Sequence, residues 1–505
     1  MATFLDPLSR ALRVAADRTA VIDGALRYDY AELDRRCRRL AGALYGLGLS
    51  PGDRVAILAA NGHRYLEAYL ALPAAGLVIV PLNTRHAEPE LEYALVDSGA
   101  RVLLTDRPPG RLAAAVERVV ELPDAYDALT AAAEAAELGR GVEPSSLAGL
   151  FYTGGTTGAS KGVMLTHANL LANAVHGIIG CGLTEADVYL IQAPMFHAAG
   201  TVAVLGMVWL GGVQVTLPAF DPAAALDLVE AHGVTATLGV PTMVAALAEE
   251  QLARPRSVGT LRQLAHGGSP VASEVLRRAH QAFPAAELVH LYGATETAPI
   301  VTVGRREEAI LDDPLIRSCG QPAVGVEVRI CPPDRLVPLA DGEVGEVCAR
   351  GANIMAGYWA KPEQTAAVLQ DGWYRTGDLG RLDAHGRLFL VDRAKDMIVS
   401  GGENVYSTEV EEVLFQHPAV KEATVFGVPD ERWGEAVHAV IVPWGPPEEV
   451  DVEAILAFCR ERIAGYKVPK SVELRREPLP VSGPGKVLKR ELRAKHWAGR
   501  EAAIN

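Results

Sequence analysis

What this sequence lacks removes several classes of protein at once. Its six cysteines (37, 181, 319, 331, 348 and 459) form no C-x-x-C pair and no cluster with histidines. Neither a disulfide framework nor a cysteine metal site is expected, and buried free thiols in a reducing cytoplasm are. No apolar run reaches the length of a bilayer span. The most apolar stretches, Tyr69–Val80 and Thr201–Val215, are interrupted by Pro or Gly and read as buried strands and helices. The opening MATFLDPLSRALRV has no apolar run of the secretory kind, so a cytoplasmic protein is the expectation. Positive charge is in deficit: 48 Lys and Arg face 62 Asp and Glu, for a net charge of −14. That balance argues against a general nucleic-acid binder. Internal repeats and low-complexity tracts are absent as well.

The chain has 505 residues, too many for one ordinary domain, and two to four are expected. With 49% apolar and 22% charged residues it has ample material for a core. Strand and helix patterns alternate over the first 150 residues. Gly52–Ala59, Leu77–Leu82 and Ala100–Leu104 read as buried strands, and Tyr65–Ala75 and Glu88–Ser98 as helices. This alternation predicts a mostly parallel α/β sheet. Tyr30, Leu33, Cys37, Leu40, Ala41 and Leu44 mark one face of an earlier helix, with Arg35, Arg36, Arg38 and Arg39 on a solvated face. The Ala/Glu-rich Arg111–Gly141 is expected to be helical.

Chemistry first shows at Tyr152-Thr-Gly-Gly-Thr-Thr-Gly-Ala-Ser-Lys-Gly162, between apolar Leu150-Phe151 and Val163-Met164-Leu165. Glycines let backbone N–H groups close around an anion, hydroxyls donate further bonds, and Lys161 adds positive charge. Polyphosphate binding is one reading, and a plain Gly/Thr-rich loop is the other. The string does not fit G-x4-G-K-[ST], so a P-loop NTPase is not indicated. Short alternating segments at Val324–Ile330 and Val344–Arg350 predict a small β subdomain. After residue 391 the pattern becomes that of a compact α+β unit: helical Thr408–His417 and Val452–Ile463, strands Ala423–Val428, Ala436–Val442 and Ser471–Leu474. Positions 461–500 carry eleven Lys/Arg against four Asp/Glu, a local surplus of seven. It is either a solvated face or an attraction for phosphates.

YTGGTTGASKG closely resembles the phosphate loop of the adenylate-forming superfamily, which includes acyl-CoA synthetases, peptide-synthetase adenylation domains and beetle luciferases. Gly154 stands where the usual form has Ser. Five more stretches match in the same order: Ala193-Pro-Met-Phe-His-Ala-Ala-Gly200, His290-Leu-Tyr-Gly-Ala-Thr-Glu-Thr-Ala-Pro299, Trp373-Tyr-Arg-Thr-Gly-Asp-Leu379, Val391–Val405, and Pro480-Val-Ser-Gly-Pro-Gly-Lys486. The resemblance covers nearly the whole chain. It implies an α/β fold with a large N-terminal domain of two α/β sheet subdomains plus a small β subdomain, and a small mobile α+β C-terminal domain. Residues 1–391 would bind the acid and ATP. Residues 392–505 would carry the catalytic lysine and the CoA step.

The same resemblance implies roles. Thr153, Gly154, Gly155, Thr156, Thr157, Gly158 and Lys161 would cradle the phosphates of ATP, with Gly268 and Gly293 beside the nucleotide. Tyr292 would stack on adenine, and Asp378 would accept the ribose hydroxyls. Arg393 would contact ribose or phosphate. Thr295 would donate to phosphate, and Glu296 would hold Mg²⁺ through an oxygen ligand. His197, Val240, Gly267, Gly268 and Pro299 would border the acid. Asp392 would be the hinge, and Ser400, Gly401, Gly402 and Glu403 would face the thiol of CoA after the rotation. Lys486 would stabilise charge developing at the α-phosphorus.

None of the pocket motifs supplies an Arg or Lys for a second carboxylate, or an Asp for an amino group. An unpaired buried charge is costly, so the acyl tail is expected to be uncharged and apolar. Fatty, aryl-propenoic and alicyclic or terpenoid acids all satisfy that. The expected activity is an AMP-forming acyl-CoA ligase, with loading of an acyl-carrier protein as the alternative. Expected partners are the small acid, ATP and CoA, with no nucleic acid and a homodimer as the assembly.

Overall fold

The computed structural model describes residues 2–153, 160–269, 271–306, 314–393, 396–400, 403–430, 432–481 and 487–497; of Arg306, Pro314 and Arg393 the backbone alone is described. Among these residues, four sheets have nine, seven, five and five strands.

The two large sheets share one core, and strand alternation explains how. In strand Arg54–Leu58 of the seven-stranded sheet, Val55 and Ile57 enter a cluster that also holds Tyr189 and Ile191 of the nine-stranded sheet. Ala56 and Leu58 point the other way, into a cluster under helix Glu88–Ser98. In the nine-stranded sheet, Leu190 and Val215 face an outer layer formed by helices Pro222–His232, Pro241–Ala253 and Ser273–Ala282. Between the sheets lie helices Tyr30–Gly46, His63–Ala74, His167–Cys181 and Val202–Leu210, contributing Leu40, Tyr69, Leu170 and Val204 to the shared core. Helices thus cover both faces of two mostly parallel sheets, which is why these strands read as nearly continuous apolar runs. Each of Val55, Ile57, Val204 and Tyr69 is at most 1% exposed, and full burial of such a side chain contributes about 1.5–3 kcal/mol.

Two expectations are corrected here. Arg111–Gly141 is not one helix: it holds a 3-10 segment Gly110–Ala115, a strand Arg118–Glu121 and a helix only over Asp124–Ala132. The strand pairs in parallel with Val102–Thr105 and buries Val120. Pairing at a sheet edge overrides local helix propensity there. The arginine run is not wholly solvated either. Arg36 reaches inward to within 3.2 Å of Glu67, a buried carboxylate that also accepts from Tyr28 and Tyr126. Burial raises the pKa of Glu67, opposed by His63 and Arg36.

The small β subdomain pairs Val326–Cys331, Gly345–Gly351, Trp373–Leu382 and Leu388–Arg393, with Leu369–Gln370 on the edge. The last sheet lies between residues 398 and 474 and packs helices Ser407–Phe415 and Val452–Arg460 on one face. On its other face Leu492 of helix Lys489–Trp497 meets Phe426, Val440 and Val442. The basic surplus of positions 461–500 is largely consumed inside this unit: Lys467 pairs with Glu409 at 2.7 Å, Lys489 with Glu411 at 2.8 Å and Arg493 with Glu435 at 2.9 Å. All six cysteines are free and buried. No helix among the described residues is long and apolar enough to cross a membrane.

Candidate active site

The acid-pocket and nucleotide motifs gather along one edge. Strands Val188–Ile191, Ala236–Gly239, Gln263–Gly267 and Glu287–Tyr292 belong to one sheet and run parallel to one another. They therefore end on the same side. The residues that follow them are the loop to His197, Val240, Gly267–Gly268 and Gly293–Pro299. The carboxyl ends of parallel strands are where open α/β sheets bind ligands.

Gly267 sits where two backbones touch. A Cβ there would stand 2.1 Å from the carbonyl oxygen of Leu291 on the adjacent strand. Gly268 has φ +84°, a left-handed conformation that suits glycine, and is exposed. Gly267→Ala is expected to destabilise the protein by roughly 1–3 kcal/mol and to raise the KM for the acid by pushing apart the strands that carry Val240 and Tyr292. Thermal unfolding together with acid titration checks both; an unchanged melting temperature contradicts the close approach.

His197 is half-buried, and its Nδ1 accepts the Ala199 N–H at 3.3 Å. The neutral ring then carries its proton on Nε2 as a donor. Burial pushes its pKa down to about 4 from 6.5. A depressed histidine pKa means the neutral form persists until pH falls through about 4, so no titration of His197 crosses neutrality. The KM for the acid is expected to stay flat from about pH 6 to 8 as far as this residue goes. An inflection near the ordinary histidine pKa that vanishes in His197→Gln contradicts that.

The nucleotide side is assembled from three sheets. Thr153 and Lys161 pair across the antiparallel hairpin Leu147–Thr153/Lys161–Thr166, and Ser160 Oγ donates to Thr153 O at 2.6 Å. Gly154, Gly155, Thr156, Thr157 and Gly158 lie outside the described residues. Strand Gly357–Tyr358 pairs with the second arm of the hairpin, and Tyr358 Oη donates to Glu296 Oε1 at 2.9 Å. Lys161 Nζ stands 4.6 Å from the Tyr358 ring centre. Tyr292 Oη donates to Asp378 Oδ2 at 2.9 Å, which ties the nine-stranded sheet to the small β subdomain. Burial first, then the charges of Glu296 and Asp378, push Tyr358, Tyr374 and Tyr292 far above the ordinary phenol pKa. Two neutral phenols, Tyr358 and Tyr292, thus donate to the two carboxylates. Glu296 is a hard oxygen donor held by a neutral phenol, which fits Mg²⁺ shared with substrate phosphates.

Thr295 and Glu296 lie in a 3-10 segment, Thr295–Thr297. Asparagines clamp it in place. Asn353 Nδ2 donates to Thr297 O and Ile300 O, both at 2.8 Å, and Asn173 Oδ1 accepts Ile300 N–H at 3.0 Å. Asn61 does the same for the acid loop: its Nδ2 donates to Ala193 O at 3.0 Å and its Oδ1 accepts Met195 N–H at 2.8 Å. Asn61, Asn173, Asn353 and Tyr358 lie outside the sequence motifs, and Tyr374, inside one, was given no role. The signal for the asparagines was an amide placed in an apolar stretch.

Asp392 belongs to two units at once. Its backbone pairs with Leu379 in strand Leu388–Arg393, while its buried carboxylate accepts the Ser407 N–H at 2.5 Å at the start of helix Ser407–Phe415. Lys489 Nζ in turn donates to Ser407 Oγ at 2.7 Å. Ser400 is buried opposite exposed Glu403 in a tight hairpin. Gly401, Gly402 and Lys486, and the side chain of Arg393, fall outside the described residues. Val481 and Val487 form an isolated antiparallel bridge.

A paired large-sheet body with a polar cluster at its strand ends, followed by a small α+β unit whose first helix donates an N–H to the Asp392 carboxylate, defines the adenylate-forming class. The chain belongs to the AMP-binding enzyme family: residues 8–359 match the AMP-binding enzyme model and 409–486 its C-terminal domain. It is an AMP-forming acid–thiol ligase. It is similar to a feruloyl-CoA synthase of Amycolatopsis sp, 44% identical over 96% of this chain and 97% of that one. It is also similar to a long-chain-fatty-acid–CoA ligase of Salmonella typhimurium, 35% identical over 95% and 92%. Among solved structures, Bacillus subtilis o-succinylbenzoate coenzyme A synthetase in complex with ATP and magnesium ion superposes with a TM-score of 0.86, at 32% identity over 96% of this chain and 99% of that one.

Proposed function

We propose that the protein is an ATP-dependent acyl-CoA synthetase for an uncharged, hydrophobic carboxylic acid, with an aryl-propenoic acid of the ferulate type as the leading class. The observation that carries the uncharged tail is the acid side of the sheet edge. Its segments offer the partly exposed Phe196, with Val240 and Met243, as apolar walls, and a neutral His197 as donor. The aryl-propenoic preference rests on the 44% identity to feruloyl-CoA synthase against 35% to the fatty-acid ligase.

The acid's carboxylate oxygen attacks the α-phosphorus of ATP. A new O–P bond forms, the α–β bridge breaks, and pyrophosphate leaves with acyl-AMP retained. The Thr153–Gly158 loop and Lys161 hold the departing phosphates, Thr295 donates to the α-phosphate, and Asp378, steadied by Tyr292, accepts the ribose hydroxyls. Mg²⁺ held by Glu296 would neutralise phosphate charge. Lys486 stabilises the charge on the pentacoordinate phosphorus. Residues 392–505 then turn about Asp392, withdraw Lys486 and bring Ser400–Glu403 to the site. The sulfur of CoA attacks the acyl carbonyl, the mixed-anhydride C–O bond breaks, AMP leaves and the thiol proton is released. The position of Asp392, in one unit by its backbone and in the other by its carboxylate, supports a hinge there.

The test is a panel of ferulic, coumaric, medium- and long-chain fatty and alicyclic acids in a pyrophosphate-release assay, followed by chromatography for the CoA thioester. The expected leader is a hydroxycinnamic acid with stoichiometric thioester. A fatty acid in the lead overturns the substrate class, and product formed only on a holo-carrier protein overturns the acceptor.

A further inference from the structure

The C-terminal unit carries a cluster that the ligase reading does not use. His438 lies in strand Gly434–Pro443, Glu473 in the adjoining parallel strand Ser471–Leu474, and His496 in helix Lys489–Trp497, which packs over that face. One ligand atom from each falls within 4.8 Å of the others. The Nε2 atoms of both histidines are buried and have no hydrogen-bond partner among the described residues. The His438 side chain is nine-tenths buried, at 6% exposure. The two imidazole rings stand 4.7 Å apart at 53°, and His438 Nε2 is 4.0 Å from Glu473 Oε2.

We propose that His438, Glu473 and His496 form a binding site for a divalent transition-metal ion of the zinc type, pinning the C-terminal helix to the sheet beneath it. Two imidazole nitrogens and one carboxylate oxygen, with a fourth position for water, form a donor set that suits Zn²⁺. In a tetrahedral site with bonds of about 2.0–2.2 Å the donor atoms lie roughly 3.3 Å apart. The half-buried Glu473 and His496 need move only about an ångström to reach that spacing. The outer contact is already made: His438 Nδ1 lies 2.7 Å from Ser471 Oγ. That bond fixes the ring and leaves Nε2 to face the other two donors, as the second nitrogen of a metal-bound histidine usually does. Phe426, whose ring centre is 5.2 Å from that of His438 and 5.9 Å from that of His496, shields the site from water. Lys495 opposes the ion. Its ammonium is paired with Glu473 in the metal-free arrangement, but the side chain is 52% exposed and can swing into solvent. The mixed chemistry of the cluster, two neutral rings and one anion, distinguishes it from an ordinary ion pair. The inference is independent of which acid the enzyme activates.

The full-length protein is stripped with chelator and titrated with Co²⁺ in the absence of nucleotide, recording visible absorption and bound metal per chain, then with Zn²⁺ in competition. One ion per chain with the absorption of a four-coordinate site is expected, displaced by Zn²⁺. His496→Gln is expected to weaken binding by about 100-fold, since even outer contacts of a metal site carry 10–100-fold. Lys495→Ala removes the competing charge without touching a ligand and is expected to tighten binding severalfold. The wild-type protein failing to take up one ion, His496→Gln binding as tightly as wild type, or Lys495→Ala failing to bind more tightly, each overturns the site.

Discussion

Lys486→Ala is expected to abolish acid-dependent pyrophosphate release while leaving the conversion of supplied acyl-AMP and CoA to thioester largely intact. One preorganised charge aimed at a transition state is worth roughly 3–4 kcal/mol, or about 10²–10³ in rate. Only the first step develops charge at phosphorus; in the second, the reacting centre is a carbonyl carbon. Lys486 directly precedes Val487 in the chain, and Val487 forms a bridge with Val481. Three residues further on, Lys489 is bonded to Ser407 and Glu411, close to the Asp392 carboxylate. Measuring pyrophosphate exchange and thioester formation separately checks the assignment. Equal loss in both half-reactions removes Lys486 from the adenylation step.

The second large effect is expected at Asp378. Asp378→Ala should raise the KM for ATP by about 10²-fold or more, because two charge-assisted hydrogen bonds at about 1.5–3 kcal/mol each disappear and each 1.4 kcal/mol is a factor of ten. Its carboxylate is held by the Tyr292 hydroxyl at 2.9 Å and its own N–H is held by Thr376 Oγ1 at 3.1 Å. Tyr292→Phe keeps the ring and removes the orienting donor, at a cost of about 0.5–1.5 kcal/mol. Its KM for ATP should therefore rise only severalfold. A graded series of wild type, Tyr292→Phe and Asp378→Ala in ATP titrations tests this. A normal KM in Asp378→Ala places the ribose elsewhere.

Much of this site was visible as strings. His197, Thr295, Glu296 and Asp378 each stand in a short run whose composition is unusual, and the order of those runs along the chain reinforces the reading. What the strings did not disclose is who holds these residues. Tyr358 reaches Glu296 across 62 positions and Tyr292 reaches Asp378 across 86. Asn61 grips Met195 across 134. An asparagine or tyrosine in an apolar segment carries no periodic signal that separates a clamp from an ordinary core residue. The same limit explains Arg118–Glu121. Its residues alternate weakly, and only the neighbouring strand decides that they pair.

By itself the sequence determined the fold class, the alternation of strands and helices, the free state of the cysteines and the short motifs that resemble those of the family. These depend on local periodicity and on residue types that water, backbone geometry and phosphate select directly. The tertiary structure alone decided that strands from three sheets bring Lys161, Glu296, Tyr292 and Asp378 to one place. It also decided that Asp392 caps a helix of the neighbouring unit and that His438, Glu473 and His496 meet. Those meetings depend on strand order and helix packing, which are fixed by the burial of whole faces and not by any single stretch of chain.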